Sequence, residues 1–417
     1  MVYLFFFILE VCGLFFLERK MWGRILTPLN ALMIPYVITT FVAILLPFYD
    51  RGIPSFYFPS LFVWMFGLLI FEIPSLFIAA GQRSRMRKTV VFIIPGKRDD
   101  YYWFLFSIAL VCIALSLFRI NSMGSQMDAF GSDEFSAEYQ QRGLLAHLQV
   151  ILISIVAYAI YKLDWHHLTA IIVIVGAMAG MYAVGTKSWI IAPLLIGYYA
   201  RVLSGKTKPT LRNTLLPILA VIFIFVFSYY LILIRAHGMD DPQKFVTFVI
   251  NHFLNYFCSG TLTLGIDYKR GFVEPEMTEA LFAPFVNVIN VLTDEPHVKK
   301  INPVFLSTGV LGESNVRTFF GTIYAYGKSY FLFSTLALSF SIITNAIYLA
   351  AIKRHNIFFM LINCANLVFL TFGFFEYYWV NLSCYEIPLI YLTLYFLILI
   401  GENRSKKVKP AYLDTKL

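Results

Sequence analysis

Charged residues and cysteines are both scarce in this 417-residue chain. Only 14% of its residues are charged, whereas 59% are hydrophobic and 18% are aromatic. This balance excludes an ordinary soluble domain, which carries about 25% charged residues. The five cysteines are scattered and odd in number, with no CxxC pair among them. Neither a disulfide framework nor a cysteine metal site is therefore expected.

A phosphate-binding loop and a cleavable leader are also missing. The string from Ser204 to Thr207 resembles the end of a phosphate-binding loop, but Ala200 occupies the position of its first glycine. A hydrophobic run rather than a strand precedes that string, so nucleotide binding of this type is excluded. The N-terminal apolar run has neither a basic start nor an A-x-A-like cleavage site. We interpret it as a retained membrane helix rather than a removed signal peptide.

Long apolar runs are what the chain has in abundance. A single helix crosses a bilayer with about 17–25 apolar residues, because lipid offers its backbone no hydrogen bonds. About eleven runs of this length recur along the sequence. They fall near residues 2–17, 27–48, 59–81, 101–118, 146–161, 168–185, 188–203, 214–234, 329–351, 357–379 and 385–401. The sequence therefore predicts an all-α, polytopic integral membrane protein with about 11 transmembrane helices.

Lysine and arginine predict the orientation, since basic loops stay in the cytoplasm. They concentrate in alternate loops, above all at 83–98, 201–212 and 404–416. This pattern predicts an outside N-terminus and an inside C-terminus. The net charge of +9 comes from these cytoplasmic loops, so it is explained by topology and contact with anionic lipid rather than by nucleic-acid binding. The predicted organisation is 1–234 with transmembrane helices 1–8, 235–328 as a large periplasmic loop, 329–401 with helices 9–11, and 402–417 as a basic cytoplasmic tail.

The loop 235–328 is the longest polar interruption in the chain, and two of its segments are apolar. From Phe245 to Phe257, aromatic and aliphatic side chains recur at helical spacing. This pattern predicts an interfacial helix lying at the membrane surface. The segment from Leu281 to Leu292 contains Pro284 and is too short to span a bilayer. We expect it at the interface or packed over the bundle, which makes the loop a lid.

Three cations are predicted at headgroup depth on the outer side. Arg235 follows a span, Lys187 opens one, and Arg317 lies near the end of the large loop. An anionic, lipid-linked diphosphate is one ligand for such cations, because the arginine fork makes two charge-assisted hydrogen bonds. Each cation could equally be a snorkelling anchor without a ligand.

Two local strings point to a family. Gly185-Thr186-Lys187-Ser188-Trp189, at the outer start of a helix, is similar to the small-Ser-Arg-x-Trp element of O-antigen polymerases and ligases, with Lys187 in place of arginine. The string NVRTFFGTIYAYG at 315–327 looks like the segment that re-enters the membrane after their large loop. With the number of spans, the aromatic content and the late outer loop, the chain resembles the O-antigen polymerase (Wzy) family and, more distantly, the O-antigen ligases. The Arg-x10-Gly element of some polymerases is absent in register, since nine residues separate Arg317 from Gly327.

The resemblance implies an activity and a location. It implies a GT-C-like fold and a metal-independent glycosyltransferase of the bacterial cytoplasmic (inner) membrane, with its active site facing the periplasm. Such a polymerase moves a growing glycan from undecaprenyl diphosphate to the non-reducing end of the next undecaprenyl-diphosphate-linked repeat unit. The product is O-antigen or a related surface polysaccharide. No cofactor is expected; the expected partners are the lipid-linked oligosaccharide, membrane lipid and a chain-length regulator protein, without nucleic acid.

This transfer needs cations at the leaving diphosphate and a base at the acceptor hydroxyl. His237 and Glu313 are the candidate catalytic bases, because they lie two residues after Arg235 and four before Arg317. A solvated loop position is the alternative for each. The predicted diphosphate-binding residues are Arg235, Arg317, Lys187 and Arg142, the last for the second lipid carrier.

Other functions stay open. Asp99 and Asp100 form an acidic pair, but their basic neighbours predict a cytoplasmic location, which disfavours a metal-dependent transferase. An O-antigen ligase-type transferase is a further reading. A lipid-linked oligosaccharide flippase or another envelope transporter is the alternative from a different class, because carboxylates in spans are costly and often functional. Those carboxylates are Glu10, Glu72, Glu376 and Glu386.

Overall fold

Helices make up almost all of the computed structural model. It describes residues 1–81, 102–122, 144–163, 168–183, 187–208, 210, 212–215, 217–223, 226–227, 241–273, 276–354 and 356–407. Arg142, Arg235 and His237 lie outside these ranges, as do Asp99 and Asp100. The predicted all-α class is confirmed.

The described helices are α1 (Val2–Trp22), α2 (Pro28–Tyr49), α3 (Leu61–Ala80), α4 (Tyr102–Ser122), α5 (Leu144–Lys162), α6 (Leu168–Ala183), α7 (Lys187–Leu203), α8 (Pro242–Arg270), α9 (Thr278–Leu281), α10 (Ala283–Thr293), α11 (Phe319–Gly327), α12 (Tyr330–Arg354), α13 (Ile357–Thr371) and α14 (Ser383–Lys407). A small antiparallel ladder pairs β1 (Leu306–Ser307) with β2 (Glu313–Ser314).

Five of these helical segments are long and apolar enough to cross a membrane. They are Pro28–Tyr49, Phe58–Ala80, Tyr330–Arg354, Ile357–Phe374 and Ser383–Ile400. Shorter apolar helices, such as His147–Lys162 and Ser188–Leu203, accompany them. A membrane protein is thus the class that the helices support, while the number of eleven spans stays a prediction.

Helix α13 forms the centre of the bundle. Its apolar segment is 83% buried, against 22–50% for the other four candidate spans. Helices α2, α7, α12 and α14 all pack against it. Small side chains such as Cys364 and Ala365 are fully enclosed there and allow this close packing. The non-helical segment between α13 and α14, here called the break, also contacts α2 and α11.

The predicted surface helix of the large loop is longer and more buried than expected. Asp241 caps it by accepting hydrogen bonds from the main-chain N–H groups of residues 243 and 244, and Gly271, with φ of 76°, ends it. The half that contains Phe245 is largely exposed, but Cys258, Thr261 and Asp267 are fully enclosed. The Thr261 hydroxyl lies 3.4 Å from the Thr39 hydroxyl of α2. Helix α8 thus leaves the surface and enters the bundle.

Helix α10 keeps an exposed apolar stripe, as its short apolar sequence predicts. Phe285, Val288, Ile289 and Leu292 follow helical spacing and are all at least half exposed. With 11 residues the helix is too short to span a bilayer. Its stripe suits a helix at a membrane surface.

One end of the bundle, here called the site end, is where α2 ends and α3 begins. The connection from Asp50 to Ser60 packs there against the segment that contains β1 and β2. Gly309, with φ of 73°, lies so close that a Cβ would come within 1.9 Å of the Gly52 carbonyl oxygen. Only glycine allows this approach, so the ladder is fixed on the site end.

Candidate active site at the site end

The chain is not helical between α13 and α14. Two short 3-10 turns, Phe372–Phe374 and Tyr378–Val380, connect the two helices, and Glu376 lies between them. Neighbouring helices cover this connecting segment. Helix α8 supplies this cover: a Cβ on Gly260 would lie 2.6 Å from the Phe375 carbonyl oxygen. Glu376 is therefore held in a fixed, irregular segment.

Glu376 lies within electrostatic range of Lys300, a residue of the large loop. Burial raises the pKa of Glu376 to about 7, and the nearby Lys300 ammonium opposes this rise. In turn, burial lowers the pKa of Lys300, while the Glu376 charge raises it. The Lys300 Nζ also donates a hydrogen bond of 2.6 Å to Asn381 Oδ1. A carboxyl that titrates near neutral pH is suited to accept a proton from a substrate.

A second cation, Arg317, is buried close to this pair. Its side chain is 1% exposed, and its Nε donates to the carboxylate of Asp267, which is 0% exposed. Nη1 donates to the Val316 carbonyl oxygen at 3.1 Å. Among the described residues, Nη2 has no hydrogen-bond partner. A buried arginine with spare donors is able to bind an anion without first breaking its own ion pair.

Tyr326 connects the two charged groups. Its side chain is 3% exposed, and burial raises its pKa. The Glu376 charge raises this pKa further, whereas the Arg317 charge lowers it. The charges of Arg317 and Glu376 therefore both act on the Tyr326 hydroxyl, so the two residues share one electrostatic environment.

Thr318 fixes Arg317 against the break. It has φ of 69°, a region that a β-branched residue rarely adopts and that costs about 1–3 kcal/mol. Its N–H donates to the Phe375 carbonyl at 3.0 Å, and its hydroxyl accepts from Trp64 Nε1 at 2.9 Å. The Trp64 ring is stacked on Tyr36 with centroids 3.5 Å apart. The strained threonine thus joins α3, α11 and the break.

The start of α7 also reaches this site. The Ser188 side chain forms a hydrogen bond with the hydroxyl of Tyr378, whose pKa is raised by burial and then by the Glu376 charge. Lys187, the neighbour of Ser188, is the first residue of α7. The structure therefore brings Ser188, at the start of α7, close to the break that contains Glu376.

The predicted site residues are distributed differently from expectation. Glu313 is exposed on β2, and its main-chain carbonyl accepts from Asn255 Nδ2 at 3.4 Å. Arg317 was expected at headgroup depth but is enclosed, because Asp267 neutralises it inside the bundle. His237, Arg235 and Arg142 lie outside the described residues. The catalytic and diphosphate-binding roles of all these residues, and of Lys187, stay predictions.

Glu376, Lys300 and Asp267 were not among the predicted site residues. Glu376 stood out only as a carboxylate in an apolar run and was assigned to the transporter reading. Its neighbours in the string FFEYYW are all aromatic, which is the one signal that could have marked it as an enclosed carboxyl. Asp267 and Lys300 carry no local signal, since their partners are distant in sequence.

An open cleft of about 420 Å³ adjoins the charged cluster. Lys299, the neighbour of Lys300, lines it together with Glu276 and Glu279. The N–H of Met277, also in the lining, donates to the Tyr326 carbonyl at 2.9 Å. The cleft therefore offers exposed polar groups to a ligand directly beside the buried charges.

Comparison with known proteins adds a family. A model described as a family of unknown function, DUF6337, matches residues 52–403. The chain belongs to this family. No curated protein and no solved structure shows detectable similarity to it. The matched DUF6337 region contains Lys300, Arg317 and Glu376 together with Trp64, so the candidate site lies entirely within it.

Proposed function

We propose that this chain is a membrane-embedded glycosyltransferase that polymerises lipid-linked oligosaccharide repeat units. The observation that carries the proposal is the cluster at the site end, where the half-buried Glu376 carboxyl shares one environment with Lys300 and Arg317. The resemblance of the strings at Lys187 and Arg317 to O-antigen polymerases supports it. The substrate class is an oligosaccharide on undecaprenyl diphosphate.

Glu376 serves as the base in this proposal. It takes the proton from the acceptor hydroxyl, and the acceptor oxygen then forms a bond to the anomeric carbon of the donor glycan. The bond from that carbon to the diphosphate oxygen breaks, and undecaprenyl diphosphate leaves with the electron pair. The proton on Glu376 is later released to water. Metal ions and cofactors take no part in the proposed step.

Lys300 and Arg317 stabilise the leaving diphosphate. An ammonium has three N–H donors, and Asn381 takes one of those on Lys300. Arg317 offers Nη2, which faces no partner among the described residues. Donors aimed at developing negative charge in a dry site make a large contribution to rate. Arg235, Lys187 and Arg142 would extend the same positive surface along the lipid carriers, with His237 and Glu313 as alternative bases.

The proposal includes an orientation. The site end faces the periplasm, with the N-terminus outside and the C-terminus inside. About 11 spans in a GT-C-like arrangement then hold the bundle in the bacterial inner membrane. The apolar stripe of α10 lies on the outer leaflet, and the exposed half of α8 covers the lipid headgroups beside the site.

Glycan profiles test this function in a strain that lacks the gene. A polymerase deletion leaves one repeat unit capped on lipid A, and the wild-type gene restores the ladder of longer products. Glu376→Gln is expected to leave the single repeat at unchanged protein level, whereas Glu295→Gln, at an exposed carboxyl outside the cleft, keeps the ladder. A normal ladder from Glu376→Gln removes this residue as the base. No repeat at all in the deletion strain contradicts a polymerase.

A transporter is the second candidate, because an ionisable residue enclosed in a membrane bundle often lies on a substrate or ion pathway. Glu376, in the segment between α13 and α14, is such a residue. Purified protein in liposomes separates the two functions. Lengthened glycan on the lipid carrier supports the polymerase, and movement of unlengthened lipid-linked oligosaccharide between leaflets supports the carrier.

A further inference from the structure

A second group of buried carboxyls lies away from the site end, between α1, α3 and α12. Glu18 of α1 is 0% exposed and Glu72 of α3 is 3% exposed. The Ser75 hydroxyl donates a hydrogen bond of 2.5 Å to Glu18 Oε1 and accepts one of 3.0 Å from Trp22 Nε1. Glu72 lies eight residues beyond Trp64, which corresponds to about 12 Å along α3. The group is thus separate from the proposed active site.

The two carboxyl groups face each other. Glu72 and Glu18 lie within side-chain hydrogen-bonding reach. Nevertheless, both oxygens of Glu72 and Oε2 of Glu18 have no donor among the described residues. Two ionised carboxylates carry only acceptors, so they cannot bond to each other and must repel. A single proton between them turns this repulsion into a charge-assisted hydrogen bond.

The polar side chains of α12 next to Glu72 donate elsewhere. Ser341 donates to the Phe71 carbonyl, which precedes Glu72, and Asn345 one turn later uses its amide N–H groups on Ser341. The remaining Asn345 Oδ1 is buried and is an acceptor without a partner among the described residues. Ser341 and Asn345 therefore give no donor to the free carboxyl oxygens.

The other titratable groups around the pair come from three elements. Tyr348 of α12 packs its ring on Trp22 with centroids 5.0 Å apart. Arg24, in the connection after α1, lies beside the Tyr348 hydroxyl, and Cys364 of α13 also faces this tyrosine. The Glu18 charge also acts on the Tyr348 hydroxyl, so Tyr348 and Arg24 are part of the electrostatic surroundings of the pair.

We propose that Glu18 and Glu72 form a proton-binding site that holds one proton between the two carboxyl groups. A metal cation needs several oxygens arranged around its own volume, whereas carboxyls in direct contact leave room for a proton alone. Loss of the proton places two negative charges in a buried contact between α1 and α3. Proton release is therefore coupled to separation of these helices, independently of the proposed glycosyl transfer.

Carbodiimide labelling of the full-length protein in nanodiscs tests this site, because the reagent reacts with protonated carboxyls in apolar surroundings. Mass spectrometry is expected to find the label on Glu18 or Glu72 at neutral pH. Above the titration point of the pair, labelling falls about tenfold for each pH unit. Glu279, an exposed carboxyl, is the internal control and stays unlabelled.

Infrared spectra give a second measurement that needs no label. The difference spectrum between the wild type and the double variant Glu18→Gln/Glu72→Gln is expected to contain a protonated carboxyl C=O band at neutral pH, which Glu72→Gln and Glu18→Gln each alter. The protonated fraction of Glu376 cancels in this difference. In the double variant two glutamine amides can hydrogen-bond to each other. It can therefore be compared with the wild type even if a single variant does not fold. Labelling of Glu18 and Glu72 that follows sodium concentration instead of pH overturns the proposal. So does the absence of both the label on these two residues and the band in the difference spectrum.

Discussion

The N–H of Thr318 donates a 3.0 Å hydrogen bond to the carbonyl of Phe375. This bond joins the residue after Arg317 to the residue before Glu376, although the two bonded residues lie 57 positions apart in the sequence. It sets the cation and the base of the proposed reaction on one rigid junction. Preorganisation of this kind is what a polar site in a membrane bundle needs, since charges there cannot rely on water.

The close approach of α8 to this junction predicts the effect of a single methyl group. Gly260→Ala places a Cβ about 2.6 Å from the Phe375 carbonyl oxygen, so the break or the helix must move. Overpacking of this type costs about 1–3 kcal/mol. We expect a lower Tm of the purified protein and a loss of glycan polymerisation. Gly13→Ala is the matched control, since a Cβ on this helical glycine meets nothing within 4 Å. An unchanged Tm for Gly260→Ala would contradict the described packing.

The pH dependence of transfer reports on Glu376. Burial raises the pKa of this carboxyl to about 7, and a base works only when it is ionised. The rate at low substrate concentration is therefore expected to rise with pH through about 7.

Glu376 also binds its proton more tightly in the folded than in the unfolded state. Between about pH 4.5 and 7, stability consequently falls as pH rises, and Glu376→Gln removes this slope.

Lys300 offers a way to move that profile. Its charge lowers the pKa of Glu376, so Lys300→Met is expected to shift the midpoint of the pH–rate profile to higher pH and to reduce the maximal rate. Lys299→Met is the control, because Lys299 is the exposed neighbour in the cleft. If the midpoint stays in place in Lys300→Met but moves in Lys299→Met, then Lys299 rather than Lys300 is the lysine that interacts with Glu376.

These residues also show what the sequence can predict. Hydropathy predicts the all-α membrane class and most helix positions, because a run such as 28–49 has to cross the bilayer as a helix whatever surrounds it. Polar residues mislead the same reasoning. The spacing from Phe245 to Phe257 predicts an interfacial helix, but the helix continues into the bundle, where its polar residues Thr261 and Asp267 have buried partners. Such long-range pairing leaves no periodic signal.

Site residues are harder to predict for a related reason. Arg317 was identified from a string that resembles a family segment, whereas Glu376 was assigned to a span. The helical break around Glu376 depends on Gly260 and Thr318, which lie far away along the chain. Hydropathy averages over such a break, since the residues on both sides of it are apolar and aromatic.

The buried ion pair predicts a specific pattern of non-additivity. Asp267→Asn leaves the enclosed Arg317 charge without its counterion, which is expected to cost about 3–5 kcal/mol and to lower the Tm sharply. The double variant Asp267→Leu/Arg317→Met removes both charges and is expected to recover much of this stability. It should nevertheless polymerise no glycan, because the proposed diphosphate donor on Arg317 is gone. Recovery of both stability and polymerisation in the double variant would assign the pair to structure alone.

The indole N–H and the ring of Trp64 have separate partners, so a substitution can remove one contact and keep the other. Trp64→Phe removes the 2.9 Å hydrogen bond to the Thr318 hydroxyl but keeps an aromatic ring against Tyr36. A hydrogen bond of this kind contributes about 1 kcal/mol, so the Tm should fall only slightly. Thr318 would then hold its strained φ of 69° with less support, and the position of Arg317 relative to Glu376 would become less precise. Polymerisation should therefore fall much more than stability.

The matched control is Trp22→Phe, which removes the hydrogen bond from Trp22 to Ser75 far from the site end and is expected to leave polymerisation unchanged. Equal losses of polymerisation in the two variants would show that Thr318 does not position the site.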